Sequence, residues 1–482
     1  MLKQINKWWV YGGAILFILL NALFIYKEFF YFSIIPFVLL LVIAAFLALD
    51  KLLLFVVFLV PLSVPLSELI SGLPIDMFLP TEPLLAGMLL IFLLKLAFEG
   101  NFDKKILTHP VSITIYLYLT WILITTLTST MPLVSIKFFI SKLWFIAAFY
   151  FIATQLFRNK NNAQRYFSYY VYGLIIVVIY ALYRHVTFGI FDQKIAHWSA
   201  NPFYKDHTSY GAILAFYIPP IITMTFFKAN STRKKFAFGT ILFILFLGII
   251  FSYSRAAWVS LIAAFGIWTI IKLRIKLWVI VSGVVVLGIF IALLGPGIAR
   301  DLKSNKQDSS TNFTKHIQSI SNVSTDASNL ERLNRWNCAI RMFKQKPFFG
   351  WGPGTYMFNY APFQISSEKT IISTNMGNKG NAHSEYLGPL SEQGVFGTLF
   401  YLLIIIATIA TGIRVIKKTK SYELRSLGFA ALMGLITYYF HGILNNFLDT
   451  DKASAPFWGF TALLVAIDVY HTNKKRDTEE VS

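Results

Sequence analysis

Long apolar runs are the feature that most restricts how this chain can fold. Segments such as AILFILLNALFIY (14–26) and SIIPFVLLLVIAAFLAL (33–49) recur along its 482 residues. A helix of about 20 apolar residues is long enough to cross a bilayer. Only 14% of the residues are charged, whereas soluble domains carry roughly a quarter. The sequence therefore predicts an all-α protein that crosses a membrane many times.

Hydropathy predicts about 14 transmembrane helices. The first follows the start MLKQINKWW and has no small-residue cleavage site, so we expect a retained helix rather than a signal peptide. The predicted spans lie near residues 8–26, 30–49, 52–71, 81–98, 111–130, 138–157, 167–186, 209–227, 236–253, 256–271, 277–295, 388–413, 425–444 and 454–471.

The distribution of lysine and arginine predicts the orientation of these helices, because cytoplasmic loops are enriched in both. If the N-terminus is cytoplasmic, the basic loops and the tail NKKRDTEEVS fall on one side. The opposite loops hold few basic residues, among them Lys205, Arg255 and Lys452. Both termini are therefore predicted to be cytoplasmic, and the net charge of +20 favours contact with anionic lipid head groups.

The same distribution argues against a nucleic-acid-binding protein. Nucleic-acid binding needs cations gathered on one folded surface, whereas here they are spread over many loops. Cys338 is the only cysteine, so the chain forms no intrachain disulfide.

One large hydrophilic segment, residues 296–387, is predicted to lie on the outer face. It separates helices 1–11 (1–295) from helices 12–14 and the tail (388–482), and it is an insertion into one membrane domain. Its first part, 300–329, is rich in serine and asparagine, and we expect it to be loosely folded.

The second part of this loop is predicted to contain short helices. An amphipathic helix on the membrane surface is indicated by apolar residues at helical spacing. They are Leu333, Trp336, Ile340 and Phe343.

Ionisable groups at membrane depth are costly, so they are candidates for function. They cluster in four stretches, YKDHTSYG (204–211), SYSRAAW (252–258), NAHSEYL (381–387) and YFHGILNNFLDTD (439–451). All four stretches stand at predicted outer ends of helices. The sequence therefore predicts one site on the outer side.

The residue types in these stretches favour a particular chemistry. Arginine and lysine can hold a diphosphate, and a histidine can accept a proton from a hydroxyl near neutral pH. The sequence has no H-E-x-x-H, D-x-D or cysteine-pair motif, no P-loop and no G-x-G-x-x-G. Metal, nucleotide and other cofactors therefore have no support from motifs. A lipid-diphosphate sugar donor and a hydroxyl acceptor fit best.

Three stretches resemble the motifs of one family. His383, Ser384, Gly394 and Gly397 form H-S-x9-G-x-x-G, which resembles the signature of the O-antigen ligase/polymerase family of bacterial envelope glycosyltransferases. YSRAAWVSL (253–261) resembles the family's S-R turn. RLNRWNCAIRMFKQKPFFGWGPGTYMF, which starts at residue 332, resembles the segment ahead of the signature. The resemblance covers roughly residues 200–450.

The resemblance implies an inverting, metal-independent glycosyltransferase of the GT-C type in the bacterial inner membrane. Its site would face the periplasm, and its donor would be a glycan linked to undecaprenyl diphosphate. His383 would be the general base and Arg255 would bind the diphosphate. Lys205 stands in the loop where the family carries a second arginine.

Further site residues are predicted in supporting roles. Arg332 and Arg335 are additional candidates for binding the diphosphate or the glycan. Gly394 and Gly397 would let the helix after His383 pack closely against a neighbouring helix. The remaining supporting candidates are Arg184, His207, Tyr210, Ser384, Glu385 and His441.

Four functions remain open at this point. The leading one is O-antigen ligase, which transfers a finished glycan to lipid A–core in lipopolysaccharide biosynthesis. The runner-up is an O-antigen or exopolysaccharide polymerase, whose acceptor is a lipid-linked glycan. A protein O-oligosaccharyltransferase comes third. A small-solute transporter is the alternative from another class, although the sequence shows no inverted repeat or matched pair of broken helices.

Overall fold

The computed structural model describes residues 7–29, 32–33, 36, 48–70, 77–98, 100, 102–228, 230–273, 275, 327–370, 372–374 and 380–472. Most of the predicted span 30–49, all of the span 277–295 and nearly all of the polar segment 300–329 lie outside these residues. Those predictions stay untested.

Long helices make up most of the described chain. They are α1 (Lys7–Tyr26), α2 (Leu49–Leu59), α3 (Thr81–Phe98), α4 (Pro110–Leu127), α5 (Pro132–Leu156), α6 (Asn161–Phe188), α7 (His207–Thr225), α8 (Thr232–Phe251), α9 (Arg255–Leu273), α10 (Ala327–Gln345), α11 (Leu387–Lys418), α12 (Tyr422–Leu444) and α13 (Asp451–Tyr470). Shorter helices are Leu66–Leu69, Lys104–Leu107, Gln193–Ser199 and Tyr356–Asn359. Two short strands, Val64–Pro65 and Phe78–Leu79, pair antiparallel with Val64 opposite Leu79.

Nine helices of the described part are long and apolar enough to cross a membrane, namely α3, α4, α5, α6, α8, α9, α11, α12 and α13. Each coincides with a predicted span. The prediction of an all-α polytopic membrane protein is confirmed, while the total of 14 spans stays a prediction. The predicted span 209–227 corresponds to α7, which contains Pro219 and Pro220.

The predicted span 52–71 is wrong as a single helix. α2 ends at Leu59, and a 3-10 turn, Val60–Leu62, follows it. Pro61 lies in this turn. Proline has no backbone N–H and clashes with the preceding turn, which ends a helix.

The chain divides into two units, Met1–Leu53 and Leu54–Ser482. The first contains α1, on which Asn21 Oδ1 accepts a hydrogen bond from Ser33 Oγ at 2.8 Å. Every candidate site residue belongs to the second unit.

Close packing among α7, α9 and α12 positions the candidate site. Gly434 of α12 lies against the carbonyl oxygen of Phe216 in α7, and a Cβ at Gly434 would be 2.8 Å from that oxygen. Near the start of α7, a Cβ at Gly211 would be 2.5 Å from Ser254 Cβ, just ahead of α9. Two glycines thus allow the three helices to approach closely.

α10 forms where the sequence predicts an amphipathic helix, but a different face of it packs into the protein. Of the predicted apolar stripe, Leu333 and Trp336 are half-buried and Ile340 is exposed, so contact of this stripe with lipid stays a prediction. The face that packs inward belongs to a cluster of Cys338, Ala339, Met342, Tyr356, Tyr360 and Ala382.

α13 begins with two buried charged residues. Lys452 Nζ donates to the carbonyls of Val60 and Ser63, both at 2.9 Å, where the chain leaves α2. Asp451 Oδ2 accepts from Ser63 Oγ at 2.7 Å and from Thr81 Oγ1 at 2.5 Å. The sequence places Lys452 in an outer loop, yet its side chain is only 4% exposed. These hydrogen bonds join α13 to the break after α2.

Candidate active site

His383 lies in the connection between α10 and α11, with its backbone fixed from two directions. Its N–H donates to Asn381 Oδ1 at 3.1 Å, and its carbonyl accepts from Trp336 Nε1 of α10 at 3.2 Å. The residue has φ +47°, a left-handed conformation that is rare outside glycine. Such strain persists only where surrounding contacts enforce it, and it clusters at functional sites.

Glu385 fixes the far side of the same connection. Its N–H donates to the carbonyl of Gly442 at 2.7 Å, near the end of α12. Its Oε1 accepts from Phe447 N at 2.6 Å, Leu448 N at 2.9 Å and Tyr438 Oη at 2.6 Å. His383 is therefore suspended between α10 and the α12–α13 connection.

Ser384 supports the start of α11. Its Oγ accepts from the N–H groups of Tyr386 and Leu387, each at 3.3 Å. It is buried and acts as a helix cap. This structural role accounts for the serine that follows the histidine.

The surroundings of His383 keep its imidazole neutral. Burial, followed by the positive charges of Arg332 and Arg335, lowers the pKa of His383 to about 4, against the opposing effects of Asp206 and Glu331. At pH 7 the ring therefore has a free lone pair that can accept a proton. The same interactions bring Arg332 of α10 and Asp206 of the α7 connection into one neighbourhood with His383.

Asp206 organises the start of α7. Its Oδ1 accepts from the N–H groups of Thr208 and Ser209, each at 2.8 Å, as an N-cap does. His207 follows it, and Lys205, which precedes it, is exposed. The carboxylate and these two basic residues therefore share one mouth.

His207 and Tyr210 are placed differently within this first turn. The His207 ring meets the ring of His197 edge-on at 4.3 Å. Tyr210 is buried, and a Cβ at Gly248 of α8 would be 2.9 Å from its hydroxyl. Tyr210 thus packs between helices, away from the mouth.

Arg255 is the first residue of α9, directly after a tight turn. Tyr253 in that turn has φ +49°, and Ser254 packs on Gly211 as described. The N–H groups at the start of a helix and its dipole favour anions, so the guanidinium and the helix end reinforce each other. Arg255 is half-buried, beside the start of α7.

His441 joins α12 to the same place. Its ring lies beside the backbone of Ala256 in α9, and its Nε2 is 3.2 Å from Asn445 Nδ2. It is fully buried. The structure therefore brings together residues from four predicted stretches, namely Asp206, Arg255, His383 and His441, with Arg332 beside them.

Two predicted cations are engaged elsewhere. Arg335 is 3% exposed, its Nε donates to Glu331 Oε1 at 2.7 Å, and it stacks over Tyr360 at 3.9 Å. Arg184 Nη1 donates to the carbonyl of Asn201 at 2.6 Å. Both therefore contact neighbouring groups of the protein, and their predicted roles at the site stay predictions.

Gly394 and Gly397 have a neighbour other than the predicted helix. α11 is kinked at Gly394, where φ is +69°. A Cβ there would be 2.0 Å from the carbonyl oxygen of Phe348, and one at Gly397 would meet Gln393 of the same helix at 2.3 Å. The close approach is to the turn after α10, because the kink receives the backbone of that turn.

Glu392 completes this junction. Its carboxylate accepts from Gly354 N at 3.0 Å and Tyr356 N at 2.8 Å. The glycine-proline turn is thereby bound to α11 by backbone and side-chain hydrogen bonds. This glycine-proline turn then supports the loop that carries His383.

The sequence analysis missed a polar cavity of about 100 Å³ beside this loop. Lys142 of α5 lines it, donating to Asp449 Oδ1 at 2.9 Å and to the carbonyl of Leu448 at 2.8 Å. The signal that could have found it is a lysine inside the predicted span 138–157. Among the described residues, no group of three or more His, Cys, Asp or Glu could hold a metal ion.

Residues 240–402 match the family model described as O-antigen ligase. This segment of the chain is similar to the O-antigen ligase family. The matched segment contains Arg255, Arg332, His383 and the Gly394 kink, whereas Asp206 and His441 lie outside it. The predicted resemblance is confirmed at the level of this family of membrane glycosyltransferase-like ligases. No curated protein gives a significant match to the chain.

Proposed function

We propose that this protein is an inverting, metal-independent glycosyltransferase that moves a glycan from undecaprenyl diphosphate to lipid A–core, as an O-antigen ligase. It would work at the periplasmic face of the bacterial inner membrane, with both termini cytoplasmic and a GT-C-type arrangement of about 14 helices. The observation that supports this most is the left-handed His383, anchored to α10 through Trp336 and acted on by the charges of Arg332 and Asp206.

In the proposed reaction, His383 takes the proton of the acceptor hydroxyl. The hydroxyl oxygen attacks the anomeric carbon from the face opposite the diphosphate. The bond from that carbon to the diphosphate oxygen breaks, and its electron pair leaves with the diphosphate. The new glycosidic bond has inverted configuration, and the proton stays on His383 until water removes it.

Arg255 and Arg332 would stabilise the leaving diphosphate. Its negative charge develops as the bond breaks, and cations already fixed in the site stabilise that charge without reorganisation. Guanidinium groups suit this task because they offer paired donors to phosphate oxygens. Lys205, exposed at the same mouth, would add a point charge.

Donor binding would also prepare the base. A histidine with a pKa of about 4 is neutral but weakly basic, and general bases work best with a pKa near the working pH. A diphosphate beside Arg332 adds negative charge, which opposes the effect of the arginine and raises the pKa of His383. His383 would thus become a stronger base only when the donor is present.

The polymerase is the second candidate. The predicted number of spans, which the described residues leave untested, exceeds the dozen usual among the ligases, and that prediction favours the polymerase. Its donor and site residues would be the same, and only the acceptor would differ. The acceptor must therefore be tested directly.

Both candidates can be tested in one reaction. Purified protein in nanodiscs is incubated with undecaprenyl-diphosphate glycan, lipid A–core and EDTA, and the lipid products are separated by gel. A shifted lipid A–core band that His383→Ala and Arg255→Ala abolish would support the ligase. A ladder of longer lipid-linked glycans would instead identify a polymerase. Lys344→Ala, at an exposed position of α10, is the matched control and should be active.

If a donor that a known ligase accepts gives neither product, the proposal is wrong. Transfer to a protein hydroxyl and solute uptake would then be tested in that order. Full activity in a folded His383→Ala variant would refute the assignment of the base.

A further inference from the structure

An apolar pocket lies between α7, α9 and α12, the three helices whose ends form the candidate site. It has a volume of about 320 Å³. Phe265 and Ile222, in its wall, are 65% and 38% exposed, so the pocket opens sideways from the helices. Its lining includes Pro219, Ala264, Trp268 and Met433 and has no charged residue.

The pocket has a local cause in the sequence. Gly434 holds α12 against the carbonyl of Phe216, as described above. One turn further along α7, Pro219 and Pro220 remove two helical hydrogen bonds, and proline bends a helix. The helices are thus in tight contact near the site and separate immediately beyond it.

The pocket lies along the same helices as the charged mouth, further into the predicted membrane. At 1.5 Å of rise per residue, Leu261 and Trp268 lie roughly 9 and 20 Å along α9 from Arg255. Met433 lies roughly 12 Å along α12 from His441. At the far end, Lys272 Nζ sits 4.6 Å over the Trp268 ring. The charged mouth, the apolar pocket and the ammonium group of Lys272 therefore follow one another along the same helices.

We infer that this pocket binds the isoprenoid chain of the diphosphate carrier. This inference rests on the proposed function, since a carrier lipid has an anionic diphosphate joined to a long methyl-branched chain. With the diphosphate at Arg255 and Arg332, the chain has to leave the mouth along apolar surface. The pocket supplies that surface at the right depth, with an opening to lipid.

Photolabelling tests the inference without requiring catalysis. The probe is a polyprenyl diphosphate with a diazirine in its first isoprene units, added to the full-length protein in nanodiscs of phosphatidylethanolamine and phosphatidylglycerol. Label is expected in the peptides of α7, α9 and α12 that line the pocket, and unlabelled undecaprenyl diphosphate should displace it. The Lys344→Ala variant, changed at an exposed position of α10, should be labelled equally.

Filling the pocket provides the second test. Ala264→Phe places a ring inside it, whereas Ile262→Phe adds the same ring at a position that is 68% exposed. Loss of a few buried methylene contacts should reduce labelling by roughly tenfold in Ala264→Phe. Ile262→Phe should be labelled like the wild type. Leu261→Trp, which fills the pocket from the adjacent turn, serves if Ala264→Phe does not fold.

The outcomes separate this inference from the proposed function. Label in these peptides without glycan transfer would support the pocket and refute the transferase. Transfer with label elsewhere, or label unchanged in both pocket-filling variants, would overturn the pocket. Label displaced equally by an ordinary phospholipid would show a general lipid groove and would also overturn it.

Discussion

Replacing Gly394 with alanine tests whether the kink in α11 holds the candidate site together. The residue has φ +69°, and its would-be Cβ lies 2.0 Å from the carbonyl oxygen of Phe348 and 2.6 Å from that of Pro347. Alanine can therefore be accommodated only if α11 and the turn move apart.

The cost can be worked out from these contacts. The backbone of Gly394, with φ +69° and ψ −167°, lies in a region that essentially only glycine occupies, and it costs another residue about 1–3 kcal/mol. Separation would also break the bonds from Val395 N to the Pro347 carbonyl at 2.9 Å and from Gly352 N to the Glu392 carbonyl at 2.8 Å. At about 1 kcal/mol for each bond, the total loss is roughly 3–5 kcal/mol.

Thermal unfolding in detergent, followed by tryptophan fluorescence, measures this loss. Gly388→Ala is the matched control on the same helix, because its Cβ would only touch Ala382 Cβ at 3.8 Å. We expect the apparent Tm of Gly394→Ala to fall by several degrees and that of Gly388→Ala to stay or rise. An unchanged Tm for Gly394→Ala would refute the reasoning that the junction is tight.

Three further predictions concern single side chains. Arg332→Gln removes a positive charge that lowers the pKa of His383, so the acid limb of the pH profile of kcat/KM should move to higher pH. An unchanged acid limb would show that the charge of Arg332 does not act on His383. Glu385→Ala should lower kcat at least tenfold, whereas Glu385→Gln, which keeps an acceptor oxygen, should keep most activity; equal losses would show that the charge matters. Lys452→Met leaves the buried carbonyls of Val60 and Ser63 without their donor, which should destabilise the protein by about 1–3 kcal/mol for each carbonyl left unsatisfied, and an unaltered Tm would contradict the importance of these hydrogen bonds.

The sequence predicted the meeting of His383, Arg255 and His441 because each stands at the mouth of a helix. Antiparallel helices joined by short turns bring such mouths to one end, so no detail of packing was needed. Asp206 appeared only as part of its stretch. Its effect on His383 depends on the distance between two loops, which no local pattern records.

The errors have equally local reasons. Arg335 is paired with Glu331 one helical turn before it, an i,i+4 spacing that the sequence displays. Lys142 and Lys452 are harder to predict, because their partners, Asp449 and the carbonyl of Val60, come from distant segments. The kink at Gly394 was interpreted as a helix contact, since small residues serve both purposes.

The buried ammonium of Lys452 has a consequence for how the molecule can move. In many transporters, the carbonyls of an interrupted membrane helix bind a sodium ion that comes and goes with each cycle. Here the carbonyls of Val60 and Ser63 already hold a cation that is covalently part of α13. That cation cannot dissociate from the protein, so the interruption is a fixed connection between helices rather than a gate. A membrane domain connected in this way offers its substrates a rigid surface. A rigid surface suits an enzyme more than a pump.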